Sequence, residues 1–141
     1  MRLYFASGLE NGDWVKELAA DATHIGHEIT YAWWTHGSVQ DEGPARIQEV
    51  AEAEIKGVST ADAVLILMPG GRGTHVELGA AIALGKPVYL FGDLLGGYTR
   101  ECSFYRHPTV ILMGAADPRL LLNELLVSED NSFRSRKAKN D

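Results

Sequence analysis

The stretch of this chain best suited to chemistry is Met68-Pro69-Gly70-Gly71-Arg72-Gly73-Thr74-His75-Val76-Glu77. It continues the run Ala63-Val64-Leu65-Ile66-Leu67-Met68, which has no polar alternation and reads as a central strand of a parallel sheet. Glycines at 70, 71 and 73 let the backbone turn tightly and approach a ligand closely. The helix predicted over Thr74 to Leu84 then points free N–H groups and its positive dipole end at that ligand, which suits a phosphate or a sugar oxyanion. Arg72 adds a charge-assisted contact. Gly70, Gly71, Arg72, Gly73 and Thr74 are thus binding candidates. Glu77 has two readings. Thr74-x-x-Glu77 is a capping box, in which the carboxylate satisfies a backbone N–H. A carboxylate in a strand–glycine turn–helix setting also faces the ligand crevice.

The elements that must position this turn follow from the rest of the pattern. Arg2 to Ala6 is an apolar and aromatic first strand. Asn11 or Asp13 caps a helix with apolar positions Trp14, Val15, Leu18, Ala19 and Ala22. His27 to Ala32 reads as a second strand, and Trp33 to Gly43 as a polar loop. Pro44 to Gly57 carries Ile47, Val50, Ala51 and Ile55 at helical spacing. Val88 to Phe91 and Thr109 to Met113 are strands four and five, and Leu120 to Val127 is a last helix after the Asp117-Pro118 start signal. This order predicts a single-domain α/β fold: a flavodoxin- or Rossmann-like open, mostly parallel five-stranded sheet with helices on both faces. The domain is expected over residues 1–127, with 128–141 a polar, disordered tail whose Arg134, Arg136, Lys137 and Lys139 read as a solvated terminus.

Ligands in such sheets bind outside the carboxyl ends of the strands. Ser7, Gly8 and Asn11 follow strand one and are sugar or phosphate contacts on that ground. Trp33, Trp34 and His36 follow strand two; a ring there stacks on a base, or packs in the core or at a dimer contact. His75 reads as a helix-surface residue rather than a catalyst.

The 141-residue length suits one domain, and the 45% hydrophobic content is that of an ordinary soluble globular protein. A net charge of −6 excludes a general electrostatic grip on a nucleic-acid polymer but not a small anionic ligand held by a few N–H groups and one Arg. One cysteine, Cys102, forms no disulfide framework within a chain, so a reducing, cytoplasmic setting is expected. No signal peptide and no membrane span is expected. No zinc-spaced Cys/His set occurs, and neither metal nor cofactor is implied.

Tyr4-Phe5-Ala6, Ala61-Asp62-Ala63-Val64, Gly73-Thr74-His75-Val76-Glu77-Leu78-Gly79-Ala80-Ala81 and Gly85-Lys86-Pro87-Val88, in that order, resemble the nucleoside 2-deoxyribosyltransferase-like superfamily, which includes nucleoside 5′-monophosphate N-glycosidases. Pro69-Gly70-Gly71-Arg72-Gly73-Thr74-x-x-Glu77 is also similar to the PGGxGTxxE signature of cytokinin-activating phosphoribohydrolases. Both resemblances imply cleavage of a bond between a ribose-type sugar and a base. The first implies that Glu77 attacks the anomeric carbon, as in retaining glycosidases, or stabilises the oxocarbenium-like centre as the base departs. Asp62 then protonates the leaving base or holds the ligand, unless it only bonds local backbone. Tyr4 orients the Glu77 carboxylate, or is a core tyrosine. The resemblance further implies a homodimer or larger assembly, with the segment Arg100 to His107 crossing to a neighbour's site; Ser103, Tyr105, Arg106 and His107 are its candidates. Deoxyribosyltransferases carry an acidic residue a few positions before the nucleophile, whereas this chain has Gly70-Gly71-Arg72-Gly73. Hydrolysis of a nucleoside 5′-monophosphate is therefore expected over base exchange. A nucleoside deoxyribosyltransferase, an NAD-cleaving enzyme and a non-catalytic nucleotide-binding module are the alternatives.

Overall fold

The computed structural model describes residues 1–92 and 102–140, with side chains to residue 129. Five strands form one sheet: β1 (Arg2–Ser7), β2 (Glu28–Ile29), β3 (Ala63–Leu67), β4 (Val88–Phe91) and β5 (Val110–Gly114). Their order across the sheet is β2-β1-β3-β4-β5, and every pair is parallel. Four α-helices connect them: α1 (Gly12–His24), α2 (Pro44–Thr60), α3 (Arg72–Ala83) and α4 (Pro118–Asn140). Helices α1 and α4 pack together, as do α2 and α3. The two pairs cover opposite faces, as right-handed crossovers require when the chain winds outward both ways from β1.

β1 and β3 lie side by side in register from Leu3↔Ala63 to Ser7↔Leu67. Leu3 to Ala6 and Ala63 to Leu67 are all buried, which explains why neither strand shows polar alternation. β2 is shorter than the His27–Ala32 stretch suggests. It pairs with β1 over two residues, and Trp33–Thr35 then turns as a 3₁₀ helix. Trp33 causes this departure. Its indole nitrogen donates to the Phe5 carbonyl at 2.7 Å, which draws the ring into the core and the chain off the sheet edge. The last helix likewise continues to Asn140, past the apolar pattern that stops at Val127.

The direction of winding changes between β1 and β3. Their carboxyl ends, Ser7-Gly8 and Met68 to Gly71, border the crevice where open α/β sheets place ligands. Several bonds knit the two ends together. The Gly8 N–H donates to the Pro69 carbonyl at 3.2 Å. The Ser7 hydroxyl donates to the Leu67 carbonyl at 2.6 Å, and Asn11 Nδ2 donates to both Ser7 Oγ and the Pro69 carbonyl.

Candidate active site

Helix α3 begins earlier than the capping-box reading requires. Gly71 is the N-cap, in extended conformation, and Arg72 is the first helical residue. Thr74 therefore lies inside the first turn and Glu77 in the second, and among the described residues no side chain caps the helix. The capping-box assignment of Glu77 is corrected on this point. Glycine is an accepted N-cap, and the loop packs so tightly there that a Cβ on Gly70 would lie 2.5 Å from the Thr74 methyl carbon. The uncapped first turn lines a cavity of about 640 Å³, a volume that suits a nucleotide-sized ligand.

Glu77 is at the cavity wall, only 8% exposed, and its Oε2 has no hydrogen-bond partner among the described residues. Burial first, and the neighbouring Glu54 carboxylate second, push its carboxyl up to about 8. The Tyr4 hydroxyl, on the buried strand β1, pulls the other way. The two side chains lie close enough to shift each other's acidity, yet among the described residues neither Tyr4 Oη nor Glu77 Oε2 makes a hydrogen bond of ordinary geometry. Burial, and next the Glu77 carboxylate, hold the Tyr4 hydroxyl far above its usual range, so it remains a donor.

Glu54 is the functional candidate that sequence reasoning missed. It projects from α2 into the same cavity, and burial raises its carboxyl while nearby His36 opposes the rise. The signal was present in α2. The face turned inward is Val50, Ala53, Glu54, Gly57 and Val58, whereas Ile47 and Ile55 are 42% and 43% exposed. A carboxylate and a glycine at core positions of an otherwise ordinary stripe both need a reason. Gly57 supplies one directly: a Cβ there would lie 2.9 Å from Tyr4 Cδ2 and Cε2. The helix carries no side chain where the Tyr4 ring passes on its way to Glu77.

The structure brings most of the other candidates to this cavity. Ser7, Gly8, Trp33, His36, Gly70, Gly71, Arg72, Gly73 and Thr74 all line it. Asn11 does not; its amide is spent on Ser7 and Pro69, and it braces the loops instead. Both ring nitrogens of His36 are engaged. A carbonyl only accepts, so Nδ1 donates to the Gly37 carbonyl at 2.8 Å, and Nε2 then takes the Tyr31 hydroxyl proton at 2.8 Å. His36 offers a ligand its ring rather than a free polar atom. Trp33 is both core and cavity wall, with Trp34 edge-on against it.

Asp62 is not part of the site. It precedes β3 and therefore lies at the amino end of the sheet, opposite the crevice. Its carboxylate accepts the Arg2 backbone N–H at 2.7 Å and the Arg2 guanidinium at 3.3 Å. Burial alone would raise this carboxyl, but these bonds outweigh it and hold it low.

The start of the crossing segment, Arg100 and Glu101, lies outside the described residues. Tyr105 is buried within its own chain, and its hydroxyl is taken by His75 at 2.5 Å, so it is not free to reach a neighbour. His107 is tied to Thr109 at 2.9 Å. Ser103 and Arg106 are exposed. None of these four lines the cavity of its own chain. Among the described residues no His/Cys/Asp/Glu group could hold a metal ion, and no helix is long and apolar enough to cross a membrane.

A buried carboxylate, a second carboxylate lining the same cavity and a donor hydroxyl next to the first are groups suited to nucleophilic and acid–base chemistry. Residues 3–115 match the nucleoside 2-deoxyribosyltransferase family. The chain belongs to this family. Among solved structures, the CMP N-glycosidase BcmB of Clostridium botulinum is similar, with a TM-score of 0.61 and 16% identity over 89% of this chain and 98% of that one. At that identity the likeness establishes a common fold. No curated protein sequence matches the chain. As a member of the nucleoside 2-deoxyribosyltransferase family, the protein is an enzyme that acts on the N-glycosyl bond of small nucleoside or nucleotide substrates.

Proposed function

We propose that this enzyme hydrolyses the N-glycosidic bond of a nucleoside 5′-monophosphate, with Glu77 as nucleophile. The observation that carries this reading is Glu77, buried in the wall of a nucleotide-sized cavity that Glu54 also lines, with its Oε2 unpaired among the described residues. The 5′-phosphate would lie at the uncapped first turn of α3, where free N–H groups and Arg72 supply the donors. Two carboxylates in one low-dielectric pocket cannot both ionise easily, so the pair holds one proton near neutral pH. Burial and the Glu54 charge favour that proton on Glu77. As positive charge develops at the sugar's C1′, ionised Glu77 becomes the favoured form and the proton passes to Glu54.

In the first step a Glu77 oxygen forms the bond to C1′. The base leaves with the electrons of the C1′–N bond and takes the Glu54 proton. In the second step Glu54 removes a proton from water, the oxygen attacks C1′, and Glu77 departs as carboxylate. Ribose 5-phosphate, or its 2-deoxy counterpart, and free base are the products. The Tyr4 hydroxyl, kept protonated by burial, favours the ionised form of Glu77 throughout. The glycine turn offers no acidic group to receive a second base, which favours water over base as acceptor.

A panel of ribo- and deoxyribonucleoside monophosphates, assayed for free base by chromatography, tests the proposal. Base release that needs the 5′-phosphate and disappears in Glu77→Ala is expected. Exchange with an added second base would identify a transferase instead, and release of nicotinamide from NAD alone would identify an NAD-cleaving enzyme. Base release by Glu77→Ala at the wild-type rate would reject the site.

A further inference from the structure

A turn of Gly70-Gly71-Arg72-Gly73 is a poor anion cradle unless something holds it still, because glycine loses more conformational freedom on ordering than any other residue. On the β1 side the Gly8 N–H and Asn11 Nδ2 both donate to the Pro69 carbonyl. On the α3 side the tie is His75. Its Nδ1 lies 2.7 Å from the Gly71 carbonyl, which also accepts the His75 backbone N–H at 3.3 Å. A carbonyl has no proton to give, so Nδ1 carries the hydrogen. In the neutral ring Nε2 is then an acceptor, and it receives the Tyr105 O–H at 2.5 Å. Tyr105 is 2% exposed and belongs to the 3₁₀ turn Ser103–Arg106, which follows β4. A buried side chain thus reaches through one imidazole to the N-cap carbonyl of α3.

Neither His75 nor Tyr105 lines the cavity. What they control is the Gly71 peptide, the point from which the uncapped N–H groups of α3 fan into it. Glu77 lines the same cavity at 8% exposure, and its Oε2 has no partner among the described residues, which marks the space as a ligand site independently of the helix start. We propose that His75 and Tyr105 are positioning residues that hold the glycine turn as a phosphate cradle, and so set the enzyme's preference for a 5′-phosphorylated substrate. The assignment rests on the proposed action on nucleoside monophosphates and adds the residues that enforce it.

Three variants separate the links of the chain. His75→Leu removes both bonds. His75→Asn places an amide nitrogen where Nδ1 sits, so it keeps the Gly71 bond and loses the Tyr105 bond. Tyr105→Phe keeps the buried ring and removes only its hydroxyl. KM and kcat are measured for a nucleoside monophosphate and for the same nucleoside without phosphate, and binding of ribose 5-phosphate and of ribose is measured by calorimetry. Loss of one such tie is expected to raise the monophosphate KM about tenfold in His75→Leu, with kcat within about twofold and the nucleoside KM unmoved. Tyr105→Phe should fall between wild type and His75→Leu, and His75→Asn should restore most of the affinity. Ribose 5-phosphate binding should weaken in the same order while ribose binding stays constant.

Equal losses for phosphorylated and unphosphorylated ligands would show general structural damage and overturn the assignment, as would no loss in any variant. If wild type released no base, the hydrolase reading would fall, yet the calorimetric series would still judge the cradle. If wild type bound ribose 5-phosphate no better than ribose, the cradle itself would be refuted.

Discussion

Replacing Glu77 with glutamine should abolish turnover and make the protein more stable, by an amount that depends on pH. The carboxyl stands at about 8 in the folded chain against an ordinary 4.5, because burial and Glu54 disfavour its charge. With the folded value above the unfolded one, the unfolded chain gives up this proton first as pH rises. The stability of the neutral form is fully present below about pH 4.5 and is lost progressively up to about pH 8. Glutamine has the same shape and no proton to lose. The stability difference between variant and wild type should be below about 1 kcal/mol at pH 5, about 3 kcal/mol at pH 7 and on the order of 4 kcal/mol at pH 8.5. The other groups lining this cavity, Glu54, Glu10, Arg72 and His36, are common to both proteins, so the difference isolates Glu77 and its coupling to Glu54. Because Oε2 has no partner among the described residues, the amide forfeits none of their bonds there. Urea unfolding of both proteins at the three pH values, followed by tryptophan fluorescence, measures the quantity. Parallel pH profiles, or a glutamine variant less stable than wild type at pH 8.5, would refute the reasoning that a strained carboxylate is stored in this pocket.

Glu54→Gln removes the like charge beside Glu77 and should move the acidic limb of the kcat/KM profile to lower pH, while kcat falls about 10²- to 10⁴-fold for want of a proton donor; an unmoved limb would separate the two carboxylates. Gly57→Ala gains up to about 1 kcal/mol of helix propensity but forces a methyl carbon to within 2.9 Å of the Tyr4 ring, an overpacking cost of about 1–3 kcal/mol. A net loss of about 1 kcal/mol and a tenfold lower kcat are expected, read from thermal unfolding and base release; unchanged activity would show that Tyr4 need not be held in line. Asp62→Asn should leave kcat and KM within about twofold of wild type and cost less than about 1 kcal/mol, since its ion pair with Arg2 is half exposed. That small stabilisation is present above the ordinary aspartate range and lost as pH falls, because the folded carboxyl is held low. A large kcat loss in Asp62→Asn would return it to the chemistry.

The sheet was legible because its signal is local. Buried strands such as Ala63–Leu67 announce themselves by having no polar face, and the parallel order follows from strands alternating with helices. Glu77 was legible for a similar reason, since a glycine turn between a central strand and a helix fixes which end of the sheet it occupies. The start of α3 was not, because Thr74 and Gly71 compete for the N-cap and packing of Thr74 under Gly70 decides between them. Glu54 was hidden because the inward face of α2 is set by what it packs on. Apolar residues alone point to Ile55, which faces solvent.

The amino-acid sequence by itself determined the order of elements along the chain and the placing of a carboxylate and a glycine turn at the carboxyl end of a central strand. These depend on residue period and turn chemistry, which act over a few positions. Only the tertiary structure decided that Glu54 joins Glu77, that Tyr4 reaches them across Gly57, that Asp62 is turned to the far end of the sheet, and that His75 and Tyr105 brace the turn. Each of those facts is a meeting of residues remote along the chain or a choice of face, and both are settled by packing through space rather than by neighbours in sequence.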